Sequence, residues 1–427
     1  GGLLTNAGTI DWDGMVFLDA GIDDDGSVAN AASCDFIYST NTTACDMPSG
    51  VRTLMINHPS FATNTTSQRF GTTTIVGAGE LRLSGGSSTV TDLTVATGGT
   101  LNDNSTGGTI NCAGDFTTSG GLLGASCLEL NGSSEYAATA VFNDDRNVAN
   151  NADYTIELWF RRTSTSGIES IFDFAHWNSG TSAYTGLGRS ALYMDGDGTL
   201  FWDTRTGGGS LHPRPQTGTG YDDSKWHHVA LAFYGSSGAH SSSAVGGVGP
   251  FTTGAKRIYI DGKLEAHVIG GQAGTDGGGT ASMGYDQNQT MAFQVGRNVV
   301  GSIGDFFTGQ IDEVRMWSDV RTETEIRTNM FSEVAATADH LRHQWSFNEG
   351  TGTSSAALDT ATDAEGEAHV AAPITPSAVG AWAGAGTFTE GTSTLKMTGS
   401  SKNINYTGDE TIGHLHIDAG QTTLNNL

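Results

Sequence analysis

The chain has 427 residues, with 46 acidic against 20 basic side chains and a formal charge of −26 at neutral pH. A surface that acidic repels phosphate backbones, which excludes nucleic acid as a partner, and no apolar run is long enough to cross a bilayer as a helix. Charged residues make up only 15% of the chain while Gly numbers 61; long helices lack their usual formers, and short runs of Thr, Ser and Val between Gly turns predict an all-β protein. The chain starts at Gly1-Gly2 without Met, which fits a processed protein or a piece of a longer one.

Residues 1–68 read as an irregular β region, with strands at Thr9-Ile10-Asp11-Trp12 and Met15-Val16-Phe17-Leu18. The acidic loop Asp23-Asp24-Asp25-Gly26 lacks the ligand spacing and closing Glu of an EF-hand, so it reads as a polar turn. Four cysteines allow three pairings. Cys34 with Cys45 and Cys112 with Cys127 are the short-range choice, and disulfides there would place the protein in an oxidising exterior. Buried thiols are the alternative.

Over residues 69–125 the chain turns to strands such as Thr72–Val76, Glu80–Leu83, Thr89–Val95 and Thr109–Cys112, separated by turns such as Gly85-Gly86 and Gly98-Gly99. Each strand carries too few apolar residues for a core of its own. Stacked in succession, such strands bury one narrow continuous core, so a β-solenoid is preferred over an irregular small sandwich.

Residues 126–382 carry longer strands. In chain order these include Cys127-Leu128-Glu129-Leu130-Asn131-Gly132, Tyr154-Thr155-Ile156-Glu157-Leu158-Trp159-Phe160, and Trp226-His227-His228-Val229-Ala230-Leu231 with Ile258-Tyr259-Ile260-Asp261-Gly262-Lys263. The last lies in Phe307–Trp317, where a turn at Thr308-Gly309 leads into seven residues that fit a strand, Ile311-Asp312-Glu313-Val314-Arg315-Met316-Trp317. Strict alternation puts Asp312, Val314 and Met316 on one face of that last strand and Ile311, Glu313, Arg315 and Trp317 on the other. With Val314 and Met316 toward the core, Asp312 falls on an apolar face, where a carboxylate needs a partner or a cation. Asp195-Gly196-Asp197-Gly198 signals a hairpin. The run from His340 through Gly352 reads as a final edge strand or the start of a truncated second copy, with the first preferred.

These four segments, in this order, resemble the laminin-G-like (concanavalin A-like) jelly-roll family. The resemblance implies a two-layered sandwich over 126–382, a fold that carries lectins, adhesion modules, spacers and glycanases alike. Residues 383–427 go back to short Gly- and Thr-rich strands like those of 69–125, as in Gly386-Thr387-Phe388-Thr389 and Thr392-Ser393-Thr394-Leu395. This pattern resembles repeats of large surface, tail-fibre and virion proteins of marine bacteria and their phages. It implies a jelly roll inserted between two parts of one β-rich stalk.

The glycanase pattern E-x-D-x-x-E, which sets acid and nucleophile on one strand, is absent, as are G-x-S-x-G, H-E-x-x-H and phosphate-binding Gly loops. Glu157 and Glu313 read as isolated, solvated or paired carboxylates. His227 and His228 point to alternate faces, and His340 with His343 read as surface histidines. Related glycanase jelly rolls use the Asp that opens the last strand as a structural calcium ligand, so the resemblance implies calcium at Asp312, with Glu129 of the first strand beside it. Sugars stack an apolar face on aromatics and hydrogen-bond at their rims. Trp177, Tyr184, Trp202 and Tyr285 lie in or beside loops, near His176, Asn178 and Arg189, and are the candidate glycan-binding residues; Trp159 and Trp226 read as core.

The expected protein is a non-enzymatic, extracellular, cell-surface or virion-surface structural and adhesion protein. Its partners are copies of itself or other subunits of an assembly, and glycans. A concanavalin A-like glycoside hydrolase with scattered acids, and an inert spacer, are the rival readings.

Overall fold

A computed structural model describes residues 52–57, 73–83, 85–102, 108–143, 153–164, 167–205, 214–234, 254–268, 290–300, 304–349 and 372–377. It also describes short strands at 4–6, 9–11, 15–18, 22–24, 27–29, 35–38, 62–65, 387–389, 394–397, 402–405, 415–417 and 422–425. The chain divides into two compact units: 1–126 with 224–226 and 383–427, and 127–223 with 227–382.

The first unit is built from parallel strand pairs. Its largest sheet runs Met15–Leu18, Asp35–Tyr38, Thr53–Ile56, Thr73–Val76, Asp92–Val95, Phe116–Thr118, Lys402–Asn405 and Thr422–Asn425, in that spatial order. Leu395 pairs with Leu415 and Lys402 with Thr422, each 20 residues on. Successive turns of a coil therefore stack directly, as the solenoid reading expects. The strand Asp92–Val95 shows how the core forms: Leu93 and Val95 are buried while Asp92 and Thr94 are half-exposed. Leu93 lies opposite Phe116, and Leu81 opposite Leu101, all wholly buried.

The stack continues across the long insertion. Thr100–Asn102 pairs with Thr387–Thr389, Thr109–Cys112 with Thr394–Met397, and Phe116–Thr118 with Lys402–Asn405, all parallel. Residues before and after the central domain are thus neighbouring coils of one solenoid.

The expected Cys112–Cys127 disulfide is not formed; both residues are buried thiols. Cys112 lies in register with Val90, at a core position of the solenoid. Its Sγ donates toward the carbonyls of Thr91 at 3.3 Å and Asp115 at 3.4 Å, and burial pushes its pKa up to about 12. It acts there as a small hydrophobe. Burial raises the Cys127 thiol as well, reinforced by the charges of Asp312 and Glu129. Cys34 and Cys45 lie outside the described residues.

The second unit is an antiparallel sandwich. One sheet runs Leu128–Asn131, Thr308–Trp317, Tyr154–Arg162, Trp226–Phe233, Lys256–Ile260 and Lys263–Val268, with Leu341–Trp345 also pairing Thr308–Trp317. The other runs Leu200–Arg205, Ala183–Met194, Glu169–Asn178, Thr290–Val295, Ala137–Thr139 and Ile374–Pro376. Between them lies one core, to which Ile156, Leu158, Phe160, Phe172, Phe174, Leu192, Trp202, Phe293 and Trp345 contribute. Alternate positions along each strand feed it, as two stacked sheets require.

The closing strand departs from strict alternation. Ile311, Val314 and Met316 all join the core. The register with Tyr154–Arg162 slips between Glu157 and Trp159, and Glu313 adopts φ 51°. This bulge turns two successive residues outward. Asp312 pairs with Trp159, on the side away from Val314 and Met316, which corrects the face assigned from sequence.

One outer face of the sandwich is covered. The helix Glu323–Asn329 starts with a capping box between Thr322 and Glu325 and presses Ile326 against Ala230, Ala232 and Tyr259. Just beyond it, the Met330 carbonyl accepts from Trp159 Nε1 at 2.8 Å.

Candidate functional site

The other sheet carries the candidate site on its outer face. In its hairpin Ala183–Met194/Leu200–Arg205, Tyr193 lies opposite Phe201, Ala191 opposite Asp203, and Arg189 opposite Arg205. Alternation points these six outward while Leu192, Met194, Leu200 and Trp202 fill the core. The turn is the Asp-Gly signal read from sequence. Asp195 Oδ1 accepts the Asp197 and Thr199 amides, both at 3.2 Å, and Gly198 takes φ 80°. A later segment then lies alongside: Trp202 N donates to Pro215 O at 3.3 Å and Thr217 N to Leu200 O at 3.0 Å. That pairing brings Arg214 and Gln216 to the same face.

The result is a groove of about 380 Å³. Its apolar floor is the stacked pair Tyr193 and Phe201, with centroids 5.3 Å apart and planes 16° apart. Arg214 lies 4.6 Å over the Phe201 ring, and Ile168, 53% exposed, stands at the rim. Gln216, Asn298, Val300 and Asp305 complete the wall.

Arg189 is the structural centre. Its Nε and Nη2 donate to the two oxygens of Asp173, each at 2.7 Å, and Nη2 also reaches Asn298 Oδ1 at 2.9 Å and the Tyr193 hydroxyl. Burial alone would lower its pKa, but the bonds to Asp173 more than offset this and raise it. Burial, with the charge of Asp173, raises the Tyr193 phenol. Arg214 and Asp203 approach only to 3.5 Å, with the Arg214 side chain 46% exposed, so that pair is worth little. Arg205 also lines the groove; its Nε is buried and has no hydrogen-bond partner. An apolar floor ringed by a few placed polar groups is the usual make-up of a small-molecule site.

The structure divides the four aromatics named from sequence. Trp177 and Tyr184 face each other across adjacent strands, with centroids 4.8 Å apart and edge to face. Both are half-buried on the groove-bearing face, and the Tyr184 hydroxyl accepts from Gln294 Nε2 at 3.0 Å. They do not line the groove. Trp202 is a correction: it is wholly buried, its Nε1 donates to Ser190 Oγ at 2.9 Å, and it packs edge-on to Tyr154. Alternation sends Phe201 outward and Trp202 inward. Tyr285 lies outside the described residues. His176 bonds Thr185 Oγ1 at 2.9 Å and is not in the groove. Sequence reasoning missed Tyr193, Phe201, Arg205, Arg214 and Gln216; the outward phase of Leu200–Arg205 would have found Phe201 and Arg205.

Asp312 and Glu129 fit a cation poorly. Asp312 is wholly buried with one oxygen accepting the Glu313 amide at 2.9 Å, while Glu129 is exposed. Among the described residues no three His, Cys, Asp or Glu side chains gather as a metal site. Glu157 and Glu313 are paired, as one of the expected alternatives had it. Arg315 lies 2.7 Å from Glu313 and 3.5 Å from Glu157, and Trp317 Nε1 donates to Glu157 at 3.0 Å. His343 is not a surface histidine: it is buried in the strand Leu341–Trp345 and stacks on Trp345, while His340 is exposed.

No curated protein matches the sequence. Among solved structures, a Bacteroides ovatus protein is 18% identical over 59% of this chain and 59% of its own, at a TM-score of 0.35. The Ruminococcus gnavus IT-sialidase CBM40 bound to alpha2,3 sialyllactose is 15% identical over 47% of this chain and 95% of its own, at 0.31. A heptameric SAP-like pentraxin from Limulus polyphemus is 12% identical over 48% and 79%, at 0.31. This chain therefore spans about three fifths of the Bacteroides protein. Residues 131–327 match the laminin G family described as the concanavalin A-like lectin/glucanases superfamily, and this stretch of the sandwich unit is a domain of that family.

Proposed function

We propose that the sandwich is a non-catalytic glycan-binding domain and that the Tyr193–Phe201 groove is its binding site. The observation that carries this is the pairing of an aromatic floor with polar side chains at its rim. A sugar ring lays its C–H face on such a floor and turns its hydroxyls to Gln216, Asn298 and the guanidiniums. The carboxylates of the groove are engaged elsewhere, Asp195 by its own turn, Asp305 by Asn298 and Asp203 by Arg214, which supports binding without hydrolysis. Titration of the intact protein against an oligosaccharide panel tests the reading. Phe201→Ala lowers affinity for any ligand found, and an empty panel overturns the proposal. Release of new reducing ends from a bound glycan would favour the hydrolase instead.

In this reading the solenoid displays the domain outside the cell or on a virion, within an assembly of like or other subunits. The support is the resemblance of the flanking repeats to surface and fibre proteins and the parallel stacking of their coils, whose main-chain edges suit strand addition. A monodisperse monomer under native conditions speaks against the assembly.

A further inference from the structure

The polar groups of the groove are unevenly satisfied. Asp173 takes two bonds from Arg189, Asp195 takes two amides of its turn, Asp203 faces Arg214, and Asp305 accepts from Asn298 Nδ2 at 3.1 Å. Each carboxylate thus has a donor. Arg205 differs: among the described residues it forms no ion pair, and its buried Nε has no acceptor. It also sits directly opposite Arg189 on the neighbouring strand. Like charges facing each other across a sheet are destabilising, and the oxygens of Asp173 are taken by Arg189 and the Val299 amide. Arg205 thus brings to the edge of a stacked aromatic floor a guanidinium that has no ion pair among the described residues and faces a second guanidinium, not a carboxylate.

We propose that the groove takes an acidic glycan, whose carboxylate or sulfate oxygens accept from Arg205 while the sugar ring rests on Phe201 and Tyr193. This rests on the reading of the groove as a glycan site and names the class of sugar. A planar guanidinium matches a carboxylate or sulfate through paired N–H bonds, which a neutral hydroxyl cannot reproduce. Arg214, loosely held over Phe201, stands close enough in the same groove to swing toward the same anion. The chain's charge of −26 opposes an acidic ligand at long range. That field is screened beyond roughly 8 Å at physiological ionic strength, so the local guanidiniums decide the contact.

The test uses matched pairs on the intact protein: oligogalacturonate against its methyl ester, and sulfated against desulfated carrageenan oligosaccharide, titrated calorimetrically at roughly physiological salt. The expected result is at least tenfold tighter binding of one acidic member than of its neutral twin. In Arg205→Gln this preference collapses, the acidic member losing far more affinity than its neutral twin, and Arg205→Lys recovers part of it, since charge remains but the fork is lost. Which pair responds separates carboxylate from sulfate. Equal binding of acidic and neutral members, or an unchanged preference in Arg205→Gln, overturns the acidic assignment and leaves the groove a neutral-glycan site. Loss of the Phe201→Ala effect together with no binding of any member removes the glycan reading itself.

Discussion

The two outer faces of the sandwich use charge in opposite ways. On the helix-covered face Glu157, Glu313, Arg315 and His228 are at most 2% exposed and paired with one another, and Trp317 Nε1 and the carbonyls of Asn329 and Ser332 add hydrogen bonds to them. On the groove-bearing face Arg189 and Asp173 form a similar pair, but Arg205 beside them has no ion pair among the described residues. Both arrangements come from outward positions of long antiparallel strands. What differs is the cover: a capped helix and the segment after it on one side, a groove on the other. Charges under a lid hold architecture together, whereas charges beside an opening can meet a ligand.

The largest effect expected is at the lid. Arg315→Ala leaves Glu157 and Glu313 buried without their cation, a class of change that costs about 3–5 kcal/mol. Urea denaturation should show the loss. Binding at the groove, measured under conditions where the variant remains folded, should be unchanged. If groove affinity falls as well, the two faces are not independent.

The second effect is a pH dependence in the lid-bearing sheet. His227 bridges Asp261 at 2.9 Å and Asp223 at 3.1 Å. Burial pulls its pKa down, yet the two carboxylates raise it to about 9. A histidine raised on folding contributes stability fully below its unfolded value of about 6.5, and that contribution is lost as pH rises through about 9. The amount is on the order of 3 kcal/mol. His228, adjacent in sequence, behaves oppositely: burial, reinforced by Arg315, lowers it to about 3. Its contribution is present above the unfolded value and fades as pH falls from about 6.5 toward 3. Melting curves between about pH 6 and 10 should decline across the upper window for the native chain, and decline less for Asp261→Asn.

A third comparison pits two neighbours in one strand. Trp202→Phe removes the bond to Ser190 Oγ and should cost about 1–2 kcal/mol of stability with no direct loss of glycan affinity. Phe201→Ala should lower both: the ring is only 7% exposed and stacked on Tyr193, so melting falls too, and roughly 1–3 kcal/mol is lost from binding, measured where the variant is folded, if the ring stacks a sugar. Reversal of the pattern would mean that the outward face of this strand is not the binding face.

These neighbours also show what the amino-acid sequence makes legible. The sandwich and its closing strand follow from strand signatures that are local in sequence. The register that turns Phe201 out and Trp202 in depends on which face of a sheet meets the core, and the size of Trp makes the wrong residue attractive. Strict alternation puts Asp312 on the wrong face for a related reason: one bulged residue shifts the phase of all that precedes it in the strand. Arg214 and Gln216 reach the groove through main-chain pairing of an extended segment with Leu200–Arg205, which no side-chain pattern announces. Cys112 reads as a candidate bridge until stacking shows its register with Val90, where a small apolar side chain belongs.

The smallest effect separates a compact site from an extended one. Trp177 and Tyr184 share the outer face with Tyr193, and Tyr184 and Tyr193 are nine residues apart on the strand Ala183–Met194. The adjacent strand Glu169–Asn178 crosses the same gap in seven residues, from Ser170 opposite Tyr193 to Trp177 opposite Tyr184, so at about 3.3 Å per residue the two aromatic clusters stand up to roughly 23 Å apart. A disaccharide seated on Phe201 cannot touch Trp177, so Trp177→Ala should leave its affinity within a factor of about two, a few tenths of a kcal/mol. A long polymer could reach both clusters. If Trp177→Ala weakens a polymer but not a disaccharide, the ligand runs along the sheet from one aromatic pair to the other. If it weakens neither, recognition ends at the groove, and Trp177 with Tyr184 serves only to close the hairpin edge through the Tyr184–Gln294 bond.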